Sequence, residues 1–325
     1  MRGKSYLESS TLDARSVLTR RDFQRRLMST FITAVSADRF SIAAAAQIKG
    51  IDSHAHIFSR HLKMAPVHRY VPDYDAPLAT YFALLKAHGI TNAVLIQPSF
   101  LGTDNSFLVS AVKSHRDILR GVMVIDPAMD LRELDDLKHA GCAGIRLNLF
   151  GLPDLNLSSS QWARVLGKVK ELDWQVEVHA EARRMPEIVK PLLQSGCNVV
   201  IDHFGRPDPA LGVRDPGFQY LLSVADTRRV WMKISGAYRN GDSGVGQKVA
   251  LDAIPLLKQS FGLERLVWGS DWPHTQFESK ENYNEVFRFL QEMLPDERER
   301  EVVLTTSPAK LFGFPLALPT GDGKR

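Results

Sequence analysis

The chain contains 325 residues, of which 44% are hydrophobic and 24% are charged, and its formal net charge at pH 7 is +4. This composition is typical of a globular protein with a sizeable core, and no stretch approaches the roughly 20 uninterrupted apolar residues of a transmembrane helix. The basic residues form no stripe interleaved with aromatic residues, so nucleic acid is not an expected partner. The sequence instead favours a small molecule as the partner.

Residues 1–46 differ from the rest of the chain. The stretch LTRRDFQRRLMSTFITAVSADRFSIAAAAQ places residues 19–23 in the order of a twin-arginine export signal, followed by an apolar region and the small residues 43–46. Gln24 stands where an apolar residue is usual, and the charged pair at residues 38–39 interrupts the apolar region. We expect a leader for periplasmic export. The alternative is a disordered or helical basic extension on a cytoplasmic protein.

From residue 47 to residue 316, apolar runs rich in Val and Ile alternate with amphipathic runs, several of which end in Gly. Eight runs are predicted strands: IKGIDSHAHI, TNAVLIQPS, LRGVMVIDP, GCAGIRLNL, DWQVEVHAE, CNVVIDHFG, RVWMKISG and ERLVWGSDW. Eight strand-helix repeats predict an α/β protein with a TIM-type (β/α)8 barrel. An open doubly wound sheet is the alternative, but no Gly-Xaa-Gly-Xaa-Xaa-Gly motif follows the first strand. Residues 317–325 are predicted to form a disordered tail.

The first predicted strand ends in two histidines, His54 and His56, separated by one residue. Side chains at positions i and i+2 of a strand point to the same face, so the two imidazoles share one space. They can bind one metal ion together or aim two donors at one substrate oxygen. Alternatively, they are ordinary polar residues where a strand meets water.

Polar residues also follow the other predicted strands. In a parallel barrel the active site lies at the C-terminal ends of the strands, so these residues are expected on one rim. They are Gln97, Ser99, Arg146, Asn148, His179, His203, Ser235 and Asp271. Because four of the ten histidines fall at strand ends, we expect this rim to be a functional site.

The spacing of these residues and three further motifs resemble the amidohydrolase superfamily. The motifs IDHFGRPD, VWGSDWPH and SPAKLFGF are similar to those of the branch that contains the 2-pyrone-4,6-dicarboxylate and sugar-acid lactonases. The resemblance spans about residues 48–315. It implies an amidohydrolase-like barrel and hydrolysis of the ester bond of a small anionic lactone or related organic acid.

The resemblance also implies roles for five residues. His54, His56 and His179 match the imidazoles that polarise the substrate carbonyl or hold a metal. Asp271 matches the carboxylate that activates water, a role for which an ionised aspartate is suited. His203 matches a histidine that orients water or donates to the leaving alkoxide, although a structural hydrogen bond within its own turn is the alternative.

The metal content stays open at this point. One zinc ion would suit three imidazoles and a carboxylate, here His54, His56, His179 and Asp271. The branch resembled most closely works without a metal, whereas some sugar-lactone relatives use zinc. Arg146 stands where binuclear relatives can place a metal ligand, and this argues against a two-metal site. We therefore expect either no cofactor or one divalent metal.

Arginines indicate the substrate class. Arg146 and Arg239 resemble positions at which the branch holds substrate carboxylates by bidentate hydrogen bonds. Ser99 and Asn148 are expected to add hydrogen bonds to the substrate. An anionic substrate follows from these four side chains.

One feature departs from the dicarboxylate lactonases. They carry a second arginine shortly after the strand-four arginine, whereas this chain reads RLNLFGLPDL. We therefore expect an apolar pocket of Leu149, Phe150 and Leu152 that favours a monoanionic or less polar lactone.

Two other functions use the same residues. A zinc-dependent decarboxylase acting on a carboxylated aromatic or semialdehyde substrate would need the same histidines and aspartate. A non-catalytic binding protein for an organic acid would need only the arginines. The sequence does not indicate an oligomeric state.

Overall fold

The computed structural model describes residues 48–242 and 244–316, and its centre is one sheet of eight parallel strands. The strands pair in chain order from first to last. They are β1 (Ile51–Ala55), β2 (Asn92–Ile96), β3 (Leu119–Met123), β4 (Cys142–Asn148), β5 (Gln175–His179), β6 (Asn198–Ile201), β7 (Val230–Lys233) and β8 (Leu266–Val267). The predicted TIM-type (β/α)8 barrel is confirmed.

The sheet closes where β1 meets the segment that follows β8. The backbone N–H of Ser53 donates to the carbonyl of Trp268 at 2.9 Å, and Ala55 forms a parallel bridge with Trp272. We call this junction of Ser53–His56 with Trp268–Trp272 the closing seam. It joins the two ends of the barrel sequence, so residues from the first and last strands become neighbours.

An α-helix follows each strand. The helices are α1 (Leu78–Ala87), α2 (Ser106–Ser114), α3 (Arg132–Ala140), α4 (Ser160–Glu171), α5 (Met185–Gln194), α6 (Pro216–Ser223), α7 (Val245–Phe261) and α8 (Tyr283–Met293), with α9 (Glu297–Glu301) and α10 (Ser307–Phe312) after them. The sequence supplies their ends. Ser159 caps α4 by accepting from the N–H of Trp162, and Gly141 ends α3 with a left-handed φ of 105°.

The main core lies between the strands and the surrounding helices. The residues of β2 and β5 are buried throughout, as expected for parallel strands with both faces covered. A second apolar cluster joins Ile51, at the start of β1, to Phe312 and Phe314 at the C-terminal end of the described chain. The opposite, C-terminal ends of the strands are left to polar residues.

The predicted leader at residues 1–46 and the predicted tail at residues 317–325 lie outside the described residues. Within residues 48–242 and 244–316, no helix combines the length and apolar character needed to cross a membrane.

Candidate active site

The closing seam brings together three of the predicted site residues. The backbone N–H of Asp271 donates to the carbonyl of His54 at 2.7 Å, and the N–H of His56 donates to the carbonyl of Trp272 at 2.7 Å. These bonds fix the backbone of β1 against the residues that follow β8. The side chains of His54, His56 and Asp271 consequently converge at the C-terminal end of the barrel, as the sequence led us to expect.

Three atoms of these side chains form a triangle. His54 Nε2 lies 3.3 Å from His56 Nε2, and Asp271 Oδ1 lies 3.7 Å from the first and 3.6 Å from the second. We refer to this group as the His54–His56–Asp271 triangle. Asp271 Oδ1 is buried and accepts no hydrogen bond from any described residue. A buried carboxylate oxygen without a partner is costly, so this atom is available for a ligand.

The other oxygen of Asp271 is fully engaged. Oδ2 accepts from the hydroxyl of Tyr238 at 2.7 Å and from Nε of Arg239. Burial alone would raise the pKa of Asp271, but the charge of Arg239 outweighs burial and holds this pKa well below its usual value. Asp271 is therefore ionised at neutral pH. Arg239, expected to bind substrate, is committed on one edge to Asp271.

The hydrogen-bond partners of His56 and His179 determine which ring nitrogen carries the hydrogen. His56 Nδ1 donates to the carbonyl of Ile96 at 2.8 Å, and His179 Nδ1 donates to Oδ1 of Asn148 at 3.0 Å. Burial lowers the pKa of both rings, so both are neutral and their Nε2 atoms act as acceptors. The Nε2 of His179 lies 3.4 Å from Nη1 of Arg206, which donates to it.

His203 stands beside these groups at the end of β6. Its ring centroid lies 4.8 Å from that of His54 and 5.1 Å from that of His179, and its Nδ1 lies 2.9 Å from the hydroxyl of Ser235. Burial lowers its pKa to about 3, so His203 is neutral at pH 7. The structure therefore brings His203 to the site that the sequence predicted.

A network of buried charges lies beneath His54, and the sequence analysis missed it. Glu177, Asp202 and Lys233 have no exposed surface, and Arg146 is 4% exposed. Lys233 contacts Glu177, while Nη2 of Arg146 donates to Asp202 Oδ2 at 2.8 Å. Burial raises the pKa of Glu177, whereas Lys233 offsets burial at Asp202 and lowers the pKa of that carboxyl.

The sequence did carry a signal for this network. Glu177 is two residues before His179 and Lys233 is two before Ser235, so each shares a strand face with a residue already assigned to the rim. Asp202 directly precedes His203. Inspecting the one or two residues that precede each selected rim residue would have identified all three charged residues.

Next to the triangle is a cavity of about 260 Å³, a volume suited to a small ring compound. Its lining residues are His56, Arg69, Tyr70, Pro98, Ser99, Phe100, Arg146, Asn148, Phe150, His179, His203, Arg206, Arg239, Asp271, Thr275, Gln276 and Phe277. Eight of the nine predicted site residues are in this lining. His54 is absent from it and has no exposed surface, so His54 lies behind His56 and Asp271 as seen from the cavity.

The cavity holds more positive charge than the sequence indicated. Arg69 and Arg206, which the sequence analysis did not select, flank the ring of Phe150 at 5.6 Å and 4.1 Å from its centroid. Within the described chain, neither of these arginines forms a salt bridge. Leu149 packs in the main core rather than in the cavity, and Leu152 is not among the lining residues. Of the expected apolar pocket, only Phe150 faces the cavity.

Arg146 also differs from its expected role. Its Nε and Nη2 both donate to Oδ2 of Asp202, at 3.2 Å and 2.8 Å, and Nε lies 3.5 Å from Glu177. This edge of the guanidinium cannot at the same time hold a substrate carboxylate. Arg206 and Arg69 also line the cavity and form no salt bridge with any described residue.

The triangle fits one divalent cation by distance. A point equidistant from its three atoms lies about 2 Å from each, the length of a zinc–nitrogen or zinc–oxygen bond. His179, the fourth ligand expected from the sequence, is outside this group of atoms. Ligation by His54 Nε2 would also require its hydrogen to be on Nδ1. The donor set thus fits one zinc ion at most.

Comparisons with known proteins agree with this geometry. The amidohydrolase family model matches residues 51–314. The chain is 32% identical over 270 residues to the 4-sulfomuconolactone hydrolase of Rhizobium radiobacter, covering 81% of this chain and 89% of the relative. It is 28% identical over 290 residues to the 2-pyrone-4,6-dicarboxylate hydrolase of Comamonas testosteroni, covering 85% and 93%.

A solved structure gives the same result. The crystal structure of a probable 2-pyrone-4,6-dicarboxylic acid hydrolase from Acinetobacter baumannii, with citric acid bound, superposes with a TM-score of 0.79 at 39% identity. The match covers 82% of this chain and 99% of that chain. The family resemblance seen in the sequence motifs is confirmed, and this chain belongs to the amidohydrolase family.

Proposed function

We propose that this protein hydrolyses the ester bond of a small anionic lactone. The observation that carries the proposal is an ionised carboxylate, Asp271, with one free oxygen beside neutral imidazoles at the base of an arginine-lined cavity. The relatives named above as lactone and dicarboxylate hydrolases support this assignment.

The charges of the cavity specify the substrate. Four arginines line it, and Asp271 is the single carboxylate of the described residues that does so. Guanidinium groups bind carboxylates and sulfonates through paired N–H donors. Phe100, Phe150 and Phe277 add aromatic surface to the lining. A ring lactone with one or more negative substituents matches both features.

The His54–His56–Asp271 triangle is suited to holding the attacking water. A water on the cavity side of the three atoms can donate to Asp271 Oδ1 and to His56 Nε2, both of which are acceptors. It can accept from His54 Nε2 if that nitrogen carries the hydrogen. The remaining lone pair of the water would then face the substrate carbonyl.

The reaction follows from these positions. Asp271 takes a proton from the water as its oxygen bonds to the carbonyl carbon, and the carbonyl oxygen becomes an oxyanion. Arg206, with His179 contacting its guanidinium, supplies N–H donors for that oxyanion. The ring C–O bond then breaks, and the leaving oxygen takes up the proton that Asp271 had accepted; we propose that the neutral ring of His203 relays this proton by accepting it at one nitrogen and donating at the other.

A zinc ion, if bound, would be held by His54, His56 and Asp271 and would lower the pKa of a bound water toward 7. The residue roles proposed for substrate binding do not depend on it. Arg69, Arg206 and Phe150 would position the substrate in either case.

The test is hydrolysis of 2-pyrone-4,6-dicarboxylate and 4-sulfomuconolactone, with an uncharged lactone of similar size for comparison. We expect ring opening of an anionic lactone, far slower turnover of the neutral one, and no release of carbon dioxide. Release of carbon dioxide from a carboxylated substrate would instead indicate the decarboxylase alternative. Binding of anions without turnover of any lactone would contradict an enzymatic role. Metal analysis of the untagged protein would decide between zero and one zinc.

We also propose that residues 1–46 direct export to the periplasm. The paired Arg20 and Arg21 within the twin-arginine-like motif support this. Replacing both with Lys should keep the protein in the cytoplasm on cell fractionation. An unchanged distribution would contradict the export proposal.

A further inference from the structure

Lys233 is a fully buried charge that the proposed reaction does not use. It ends β7 with no exposed surface. Its Nζ contacts Oε2 of Glu177 and lies 3.1 Å from Nδ1 of His54 and 3.4 Å from Oδ1 of Asp202. An ammonium group has three N–H donors and no acceptor, so it donates to Glu177 and His54 and forms an ion pair with the more distant oxygen of Asp202.

The contact with His54 has a definite direction. Because Lys233 can only donate, Nδ1 of His54 must be the acceptor. A ring nitrogen that accepts carries no hydrogen, so the one hydrogen of the His54 ring is on Nε2. His54 Nε2 then donates to His56 Nε2, and His56 Nδ1 donates to the carbonyl of Ile96.

We propose that Lys233 is a positioning residue that fixes the tautomer of His54, so that His54 presents an N–H, rather than a lone pair, to the His54–His56–Asp271 triangle. The proposal deepens the lactone hydrolase assignment and rests on it for the catalytic consequence. This N–H donates to His56 Nε2 in the structure, and it would be shared with a water or oxyanion that enters the triangle. The same N–H opposes ligation of a metal, because the nitrogen lone pair is not available.

Two carboxylate oxygens near His54 could stabilise the alternative tautomer, in which the hydrogen is on Nδ1. Oδ1 of Asp202 lies 3.4 Å from His54 Nδ1, Oε1 of Glu177 lies 3.6 Å from it, and neither oxygen has a hydrogen-bond partner in the described chain. If Lys233 did not donate to Nδ1, either oxygen could accept an Nδ1–H. The hydrogen would then leave Nε2, and the three atoms of the triangle would all be lone-pair donors.

The first measurement needs no variant. Long-range 1H–15N spectra of protein labelled with 15N-histidine distinguish a protonated ring nitrogen from an unprotonated one, and His54→Gln assigns the signal. We expect His54 to show a protonated Nε2 and an unprotonated Nδ1. A protonated Nδ1 in the native, metal-free protein would overturn the proposal, whether or not any lactone is turned over.

The second measurement uses Lys233→Met, which keeps an unbranched side chain of nearly the same reach and removes its donors. We expect the His54 hydrogen to move to Nδ1 and kcat to fall about 10- to 100-fold, the usual effect of removing a group that orients a site residue, with little change in KM. Because the Nε2 lone pair is then free, the affinity for added zinc should rise. Lys258→Met is the control. Lys258 lies on α7 and pairs with Glu299, outside the site, so this variant should change none of these readings.

Removing Lys233 leaves two carboxylates facing one arginine, so the double variant Lys233→Met/Glu177→Gln restores the charge balance if the single variant does not fold. An unchanged His54 tautomer in a folded variant would contradict the role of Lys233. If the tautomer shifts in the variant but the parent protein hydrolyses no lactone, the positioning role of Lys233 is supported and the proposed function is refuted.

Discussion

At the scale of single residues, Asp271 combines two properties that are seldom found together. Its Oδ2 is neutralised by Tyr238 and Arg239, whereas its Oδ1 has no partner among the described residues. The resulting low pKa keeps Asp271 ionised, so its own protonation should not reduce activity above about pH 4, where an ordinary aspartate titrates. The acid limb that an ordinary aspartate would produce at about pH 4 should therefore be shifted to lower pH, which the pH profile of kcat/KM measures.

Asp271→Asn preserves the shape of the side chain and removes its charge. We expect kcat to fall by about 100-fold or more with smaller changes in KM, because general bases contribute about 100- to 10,000-fold. Steady-state kinetics on an anionic lactone measure this. Asp252→Asn, on the exposed side of α7, is the control and should behave like the parent protein. Near-parental kcat in Asp271→Asn would remove Asp271 from the mechanism.

Arg206→Lys tests the substrate-binding role of a residue that the sequence analysis overlooked. Lysine keeps the positive charge but loses the fork and the stacking on Phe150, so KM for an anionic lactone should rise about tenfold or more. Because Arg206 is also the proposed donor to the oxyanion, kcat should fall as well. Arg183→Lys alters an exposed neighbour outside the cavity and should leave KM unchanged. A KM for Arg206→Lys equal to that of the parent would show that the anion binds elsewhere.

Arg146→Lys should behave differently from Arg206→Lys. Arg146 uses two nitrogens on Asp202, so the lysine variant leaves part of a buried carboxylate unpaired and should lower the melting temperature as well as substrate affinity. Thermal unfolding measured by circular dichroism tests this. An unchanged melting temperature with a raised KM would return Arg146 to the purely substrate-binding role expected from sequence.

At the scale of elements, the strand ends leave regular geometry where the site is built. His203, Arg206, Asp271 and His274 all have φ between 53° and 65°, a region that non-glycine residues seldom adopt. Such conformations persist only where the surroundings enforce them, and they are frequent at functional sites. Gly236, after β7, belongs to the same group with a φ of 54°.

Gly236→Ala is expected to damage the site more than the fold. A Cβ at this position would lie 2.8 Å from Nδ1 of His203 and 3.1 Å from Oδ2 of Asp271, and the positive φ adds strain. Activity should fall at least as far as in a variant of His203, while the circular dichroism spectrum stays that of the parent. Gly167→Ala on α4 has no atom within 4 Å of the added carbon and should stabilise the protein slightly. Full activity of Gly236→Ala would contradict the close packing seen here.

The difference between local patterns and contacts between distant segments explains what could be predicted from the sequence. Strand and helix periodicity predicts all eight strands and the rim on which the residues converge, because each strand's pattern is local. It did not predict the pairing of Arg146 with Asp202, since that contact joins two strands. Arg69 was missed because it comes from the irregular segment between β1 and α1, where no periodicity reports the direction of a side chain.

At the scale of the whole molecule, the buried neutral histidines make stability depend on pH. Burial lowers the pKa of five rings below 6.5: His54, His56, His179, His203 and His274, with His203 at about 3 and His274 at about 4. Below pH 6.5 the unfolded chain binds protons that the native state excludes, so unfolding is favoured as the pH falls. The stability present above pH 6.5 is lost progressively toward pH 3 to 4.

We therefore expect the melting temperature to be nearly constant from pH 7 to pH 8 and to fall increasingly below pH 6.5. Each excluded proton contributes up to about 1.4 kcal/mol per pH unit. Differential scanning calorimetry across this range measures the slope, and His274→Gln should reduce it by the share of one proton. A melting temperature that rises on acidification would mean that these rings are charged in the native state.

The closing seam has a consequence for how the protein becomes active. Ser270 and Asp52, joined there by a hydrogen bond, are 218 positions apart in the chain, so the catalytic groups meet only when the first and last strands pair. Contacts between such distant segments form late, because a long loop must first be closed. A nascent or refolding chain can hold most of its helices and strands and still have no place for a substrate. Recovery of enzymatic activity after dilution from denaturant should thus lag behind recovery of secondary structure. The rate of that recovery would measure the last step of folding, the pairing of the first and last strands.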